Sequence, residues 1–203
     1  MSTIKDIPYK ELKLSQVFDL QMGKTPSRNN PQYWEGRNKW LSISDLDGDK
    51  IVTKTREAIT DLALQDTNIK KVPQGTVVMS FKLSIGKTAI TGEDMYTNEA
   101  IMAFHIKDGY EVDTDFLYHW CKSNNWLDTT NKAVMGLTLN KATMMDKEIK
   151  LPDISRQKEI AIKLNKVDDT LLIGRKQLEM LDLLIKSRYC ENYNKSLIWG
   201  MYA

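Results

Sequence analysis

The stretch LPDISRQKEIAIKLNKVDDTLLIGRKQLEMLDLLIKSR, residues 151–188, decides the architecture, because the texture of the chain changes at its start. From Ser155 to Arg188 there is no Pro and a single Gly. Ile160, Leu164, Val167, Leu171, Gly174, Leu178, Leu181 and Ile185 recur at alternating spacings of four and three, the a/d rhythm of a coiled coil kept for about four heptads. Only Gly174 interrupts this apolar seam, and there a second helix can approach closely. A continuous helix of about 34 residues, at about 1.5 Å each, is a rod of roughly 50 Å, too long for the preceding domain to cover. The seam therefore predicts pairing with another helix. Folding back onto its own domain is the alternative, and Leu172, Leu183 and Leu184, which widen the apolar face, keep it open.

Upstream, residues 1–152 have a mixed, short-period texture. Turn signals fall at Gly23 to Ser27, Asn29 to Pro31, Asp45 to Asp49, Pro73 to Gly75 and Gly92 to Asp94. Thr76 to Met79 and Ile101 to Ile106 are short apolar runs bounded by Gly, Pro or charge, which predicts strands. Asp115 to Trp126 predicts a helix, with Phe116, Leu117, Trp120 and Cys121 on one face and Asp113 and Asp115 near its N-terminus. The reading is an α/β (α+β) globular domain over 1–152, followed over 153–203 by one long coiled-coil-forming helix with a short C-terminal tail from Asn194.

Composition narrows the function classes. The 203 residues suffice for one core and an extension, and 41% hydrophobic with 28% charged residues is ordinary for a soluble globular chain. Lys and Arg number 29 against 27 Asp and Glu, with no basic tail, so a polyanion has to be met by locally clustered charge. No apolar run approaches the roughly 18 residues that span a bilayer, and MSTIKDIPYK lacks a signal core, so a cytoplasmic location without membrane partners is expected. Cys121 and Cys190 belong to no C-x-x-C pair, which fits reduced thiols and offers no zinc site, and His105 and His119 are the only imidazoles.

Catalytic motifs fail on spacing. Gly23-Lys24-Thr25 and Gly86-Lys87-Thr88 end like phosphate loops, but the required upstream glycine is Phe18 in one case and Phe81 in the other. In DLDGDK, residues 45–50, the turn glycine of a calcium loop comes too early, at Gly48, and the twelfth position is Arg56 instead of Glu, so a solvated acidic turn is favoured. Asn30-Pro31-Gln32-Tyr33 imitates the N-P-P-Y loop of adenine methyltransferases, yet no glycine loop for a nucleotide cofactor accompanies it. A turn around a packed Tyr33 is the better reading. Glu148-x-Lys150 with Asp128 is a chance imitation of a nuclease site in a charge-rich chain. No catalytic residue, cofactor or metal is expected.

The remaining polar residues suit a surface that reads DNA. Lys24, Thr25, Ser27, Arg28, Asn29 and Asn30 form one loop, Lys54, Thr55 and Arg56 a second, Lys82, Ser84 and Lys87 a third, and Thr138, Asn140 and Lys141 a fourth. Lys and Arg match phosphate oxygens and guanine edges, while Asn matches adenine. By chemistry, Lys24, Arg28, Lys82 and Lys87 are assigned to phosphate, with Thr25, Ser27, Arg56 and Asn140 for bases or sugars and Lys54, Ser84 and Lys141 beside them. Composition alone also allows plain solvated surface. Tyr33, Trp34 and Trp40 are expected to support the loops or the core.

These residues carry a family resemblance. Leu12 to Leu20 leading into Gly23-Lys24-Thr25-Pro26-Ser27, Tyr33-Trp34-Glu35-Gly36, Trp40 to Leu46, Val72 to Ser80, Ile85-Gly86-Lys87 and Asn98-Glu99-Ala100 occur in order. Leu151-Pro152, Arg156-Gln157-Lys158-Glu159-Ile160, Val167-Asp168 and Lys186-Ser187-Arg188-Tyr189 follow. The chain resembles one half of a specificity subunit of a type I DNA restriction-modification system, over nearly its whole length. The resemblance implies a target recognition domain followed by a spacer helix, within a non-catalytic subunit whose methyltransferase and nuclease or ATPase activities reside on partners. It implies double-stranded DNA as ligand, and methyltransferase and restriction subunits as partners. A full subunit carries two such domains, which leaves two readings of this chain: two copies paired through Ile160 to Ile185 over a split palindromic site, or the N-terminal half of a longer or interrupted gene partnering a different half. A third, from another class, is an interaction module that binds methyltransferase subunits without directing them.

Overall fold

The computed structural model describes residues 8–126 and 139–200, and the chain divides into two compact units, Met1–Ala161 and Ile162–Ala203. The first opens with β1 (Tyr9–Lys13), a single helical turn α1 (Leu14–Val17) and β2 (Phe18–Met22). A loop and a short 3-10 turn at Pro31–Tyr33 lead to β3 (Trp34–Leu41), β4 (Ile51–Val52), β5 (Glu57–Ile59) and α2 (Asp61–Thr67). Then come β6 (Val77–Ser80), β7 (Thr88–Thr91), β8 (Tyr96–Thr97) and β9 (Ile101–Ile106), followed by α3 (Thr114–Ser123), α4 (Lys141–Met145), β10 (Glu148–Pro152) and α5 (Ile154–Gly200). This is the mixed α/β architecture read from the sequence, with its long C-terminal helix.

A five-stranded sheet in the order β2-β9-β6-β7-β4 centres the first unit. Strands β6 and β9 are buried on both faces, which is why they read as unbroken apolar runs and not as alternation. Their side chains still divide by the two-residue period of a strand. Val77, Met79, Met102 and Phe104 enter one core with Leu14, Phe18, Leu117 and Tyr118, while Val78, Ile101 and Ala103 enter another with Leu41, Val52 and Met95. A smaller sheet, β5-β3-β8, packs Trp40, Ile59, Ala63 and Ile69.

Helix α3 stops at Ser123, short of the Trp126 that the apolar spacing had included. Its start is fixed by Asp113, whose Oδ1 accepts from the Phe116 N–H at 2.9 Å, and Asn124 returns the backbone to an extended conformation. Trp126 is buried from outside the helix, meeting Trp120 edge-on at 5.5 Å and donating its indole N–H to the Cys121 carbonyl at 2.7 Å. Cys121 is free and fully buried, which raises its thiol pKa well above the ordinary value; the Cys190 side chain lies outside the described residues.

The two ends of the first unit meet. β1 and β10 form an antiparallel ladder from Tyr9 opposite Pro152 to Lys13 opposite Glu148. Two residues after this ladder α5 begins, and Gln157, 1% exposed, anchors its first turns. Its Oε1 accepts from the Asp113 N–H at 2.8 Å, and its Nε2 donates to the carbonyls of Pro152 at 2.9 Å and Glu111 at 3.1 Å. Ala161 is buried and Ile160 half-buried against the same core. The helical start therefore belongs to the first unit, and the second begins at Ile162.

The second unit is helical throughout its described residues, and α5 as a whole runs for 47 residues, or about 70 Å. Leu164, Val167, Leu171, Leu178, Leu181 and Ile185 of the expected seam are exposed, and a Cβ placed on Gly174 would touch nothing. Ile162, Ile173, Met180 and Leu184 are exposed as well and share a second stripe, about 130° round the helix from the seam. A lone amphipathic helix shows one apolar stripe; two call for partners on more than one side.

Candidate nucleic-acid interface

Strands β2 and β6 run in the same direction, because each is antiparallel to β9 between them. The loops that follow β2 and β6 therefore leave the sheet at one end, where β9 begins. Gly23–Ser27, Phe81–Lys87 and Asn98–Ala100 meet there. Gly23 N–H donates to the Ile101 carbonyl at 3.2 Å, Lys24 N–H to that of Thr97 at 2.9 Å and Phe81 N–H to that of Ala100 at 2.9 Å. The first of these segments needs its glycine, since a Cβ on Gly23 would lie 2.1 Å from the Thr97 carbonyl oxygen and 2.3 Å from that of Asn98. The Thr25 hydroxyl completes the junction by donating to the Glu99 carboxylate.

Aromatic side chains brace the Gly23–Arg28 loop from beneath. Trp40 donates its indole N–H to the Lys24 carbonyl at 3.0 Å and Trp34 to that of Ser27 at 3.2 Å, and the two rings meet edge-on at 5.1 Å. Tyr33 is fixed by its hydroxyl on Asp66 at 2.9 Å, and Asn30 Oδ1 accepts from the Gln32 N–H at 3.1 Å to cap the 3-10 turn. These bonds fit the loop support expected of the aromatics. Arg28 lies 3.7 Å over the Trp34 ring and grips both carboxylate oxygens of Glu57.

This fork raises the pKa of Arg28, and its hydrogen bonds hold the Glu57 carboxyl below the ordinary 4.5. A depressed carboxylate contributes stability that is present above its unfolded pKa and lost as pH falls through its folded one. The stability gap between the native chain and Glu57→Gln should therefore be widest near neutrality and narrow as pH falls below the ordinary 4.5. Urea midpoints of both proteins at pH 7 and pH 3.5 measure it; a gap independent of pH would remove Glu57 as its source.

The cationic side chains differ in what they have left to offer. Lys24 is exposed but donates its amine to the Thr67 carbonyl at 3.0 Å, at the C-terminus of α2, and Arg28 is committed to Glu57. Lys82 and Lys87 flank the β6–β7 loop, and Lys87 has no side-chain partner among the described residues; Ser84 is exposed between them. Lys54 leaves the sheet at its other end, because β4 runs parallel to β7 and so points away from that loop. Arg56 follows it, with its N–H on Asp45 Oδ1 at 2.9 Å and its Nε 3.8 Å from that oxygen. Asp45 also accepts from Ser42, so the DLDGDK turn uses its first carboxylate for structure. Asn140 caps α4, its Oδ1 accepting from the Thr143 N–H at 2.9 Å, and Lys141 opens that helix, exposed. Thr138 and Asp128 lie outside the described residues. The structure thus brings Lys24, Thr25, Lys82, Ser84 and Lys87 to one sheet end, and Arg28 to Glu57, next to Arg56. Lys54 leaves the sheet at the end opposite to the first group.

A family model described as the type I restriction modification DNA specificity domain matches residues 7–182. The chain belongs to that family. Among curated relatives, this specificity domain is 27% identical over 175 residues to the type I restriction enzyme MjaIX specificity subunit of Methanocaldococcus jannaschii, covering 84% of the chain and 40% of the relative. It is 23% identical over 181 residues to the HindI specificity subunit of Haemophilus influenzae, covering 85% and 39%. The chain thus spans about two fifths of the length of these relatives. Among solved structures, an HsdS subunit from Thermoanaerobacter tengcongensis superposes with a TM-score of 0.62 at 19% identity, over 82% of this chain and 39% of the other. A chain from a study of type I R-M complex assembly gives 0.67 at 21%, over 86% and 43%. The fold is shared with both. The family is one of DNA specificity and not of catalysis, in keeping with the non-enzymatic reading, and no helix among the described residues is long and apolar enough to cross a membrane.

Two features of the specificity domain escaped sequence reasoning. Gln157 stood in a quoted motif, but its three backbone partners come from positions 111, 113 and 152, and only the fold unites them. Leu83, 89% exposed, lies between Lys82 and Ser84 with no local sequence signal that marks it.

Proposed function

We propose that this chain is the DNA-reading component of a type I restriction-modification assembly, acting in the cytoplasm. Paired through the Leu164–Ile185 seam with a second copy, or with another half-subunit, it reads a split site and positions the methyltransferase and restriction subunits that carry the chemistry. The observation that carries this reading is the convergence of Gly23–Ser27, Phe81–Lys87 and Asn98–Ala100 at one sheet end. Lys24, Lys82, Ser84 and Lys87 offer hydrogen-bond donors there to phosphates and base edges, while the Thr25 hydroxyl, its proton given to Glu99, is left as an acceptor. Arg28 serves as a brace with Ser27 beside it, while Lys54, which leaves the sheet at its other end, and Arg56, Asn140 and Lys141 serve as further contacts outside it.

In this mechanism phosphate contacts fix register, loops enter a groove, and helices act as a ruler. A rod of about 50–70 Å corresponds to about 15–20 base pairs at 3.4 Å each, which sets the order of the half-site separation. The seam serves the partner helix, and the second stripe of Ile162, Ile173, Met180 and Leu184 suits the other subunits.

Co-production with the methyltransferase subunit of its system in a methylation-free host, followed by genome-wide mapping of N6-methyladenine, tests the reading. A split palindromic motif is the result expected of a symmetric pair; an asymmetric motif would require a different second half. Stable complexes without any motif would overturn DNA reading in favour of an interaction module, an alternative that the two apolar stripes of α5 also accommodate. Lys87→Ala should weaken binding to all duplexes alike and lower the salt slope by about one, measured by fluorescence anisotropy across salt concentrations. A loss confined to one base position would contradict a phosphate role for Lys87.

A further inference from the structure

The β6–β7 loop holds an apolar side chain outward at a cost. Leu83 is 89% exposed and has a φ of +60°, a left-handed conformation that residues with a Cβ avoid. The loop is built to keep it there. The hydroxyl of the fully buried Ser80 donates to the Ser84 carbonyl and accepts from the Lys87 N–H at 3.1 Å. Backbone bonds close the base: Gly86 N–H donates to the Ser80 carbonyl at 2.9 Å and Ser80 N–H to that of Lys87 at 2.8 Å. The loop's other aliphatic residue, Ile85, packs on the domain core, so burial was open to an apolar side chain in this loop and Leu83 does not take it.

We infer that Leu83 is a specificity-determining residue that packs against the C5 methyl group of a thymine in the major groove. The inference rests on the DNA-reading role proposed for this sheet end. The strands themselves are enclosed by their sheet neighbours, so it is the exposed loop joining them that can enter the major groove, where the thymine methyl is the apolar group that base edges display. Lys82 and Lys87 lie on either side of the exposed Leu83 in the loop and supply the charge to meet phosphates.

Two variants of the full chain test it. Leu83→Asn removes the apolar contact with a residue that suits the left-handed backbone, and Leu83→Ala removes it with minimal change of polarity. Each is co-produced with the methyltransferase subunit and its N6-methyladenine motif is mapped. The expected result is a motif relaxed at one thymine position and otherwise that of the native chain. Purified native complex should bind about fourfold more weakly when that thymine is replaced by deoxyuridine, the effect of losing burial of one methyl group, and the variants should not distinguish the two duplexes. A native motif retained by both variants, or uniform loss at every site, would overturn the role of Leu83 alone. Absence of any motif with the native chain would overturn the DNA-reading role, and this inference with it.

Discussion

Replacing Gln157 with alanine should lower the unfolding free energy of the Met1–Ala161 unit by about 3 kcal/mol or more. The side chain satisfies the buried Pro152 carbonyl and the half-buried Asp113 N–H and Glu111 carbonyl, and a buried group deprived of its partner costs about 1–3 kcal/mol. A cavity adds to this in a site where Gln157 is almost wholly enclosed. The Asp113 N–H belongs to the residue that caps α3, so loss of the clamp should also loosen the start of that helix. Gln157→Glu discriminates the causes: it keeps the volume and the acceptor for Asp113 but presents no donor to the Pro152 and Glu111 carbonyls, and it buries a charge. It should be at least as damaging as alanine. Urea denaturation followed by tryptophan fluorescence, with amide exchange at Asp113, provides the measurement. A loss under about 1 kcal/mol for both variants would show that water replaces the clamp and that packing alone holds the helical start.

Aspartate at both Leu171 and Leu178 should weaken pairing through α5 by at least about a thousandfold. Both residues are exposed and sit two turns apart on the seam, so the proposed association would bury them and each substitution would carry a carboxylate into that interface. Four such charges in a symmetric pair exceed the roughly 4 kcal/mol that corresponds to a thousandfold change in Kd. Sedimentation equilibrium of native and variant chains reads this directly. The same double substitution at Ile173 and Met180, on the second stripe, should leave the pair intact while impairing capture of the methyltransferase subunit. Equal loss of pairing from both stripes would mean that the seam is not the self-association surface.

How legible each part was depends on the range of the interactions that define it. The long helix was legible because its signal is local and repeated: four-and-three spacing, no proline, one glycine. β9 was legible to the residue, since burial on both faces makes a strand an unbroken apolar run. The end of α3 was not, because Trp126 has helical spacing and full burial but reaches the core from beyond Asn124. Among the cationic candidates, sequence identified residue types but not their commitments. Arg28 and Lys87 are equally plausible phosphate ligands on paper, and it takes Glu57 and Trp34, brought in from other strands, to turn Arg28 into a brace. The outward Leu83 was illegible for a related reason, since a positive φ at a leucine follows from the Ser80 bonds that close the loop and not from any local preference.

The ladder that joins Tyr9–Lys13 to Glu148–Pro152 imposes a timetable on the newborn chain. The first strand of this unit has no neighbour to zip onto until the last one has been synthesised, so closure must wait for nearly the whole domain, and such distant pairing is slow. The seam proposed for pairing is translated later still, after Pro152. By the time Leu171 to Ile185 can meet another helix, the strands that might have been trapped in a premature tangle have all been made, and assembly is deferred until there is a finished domain to assemble.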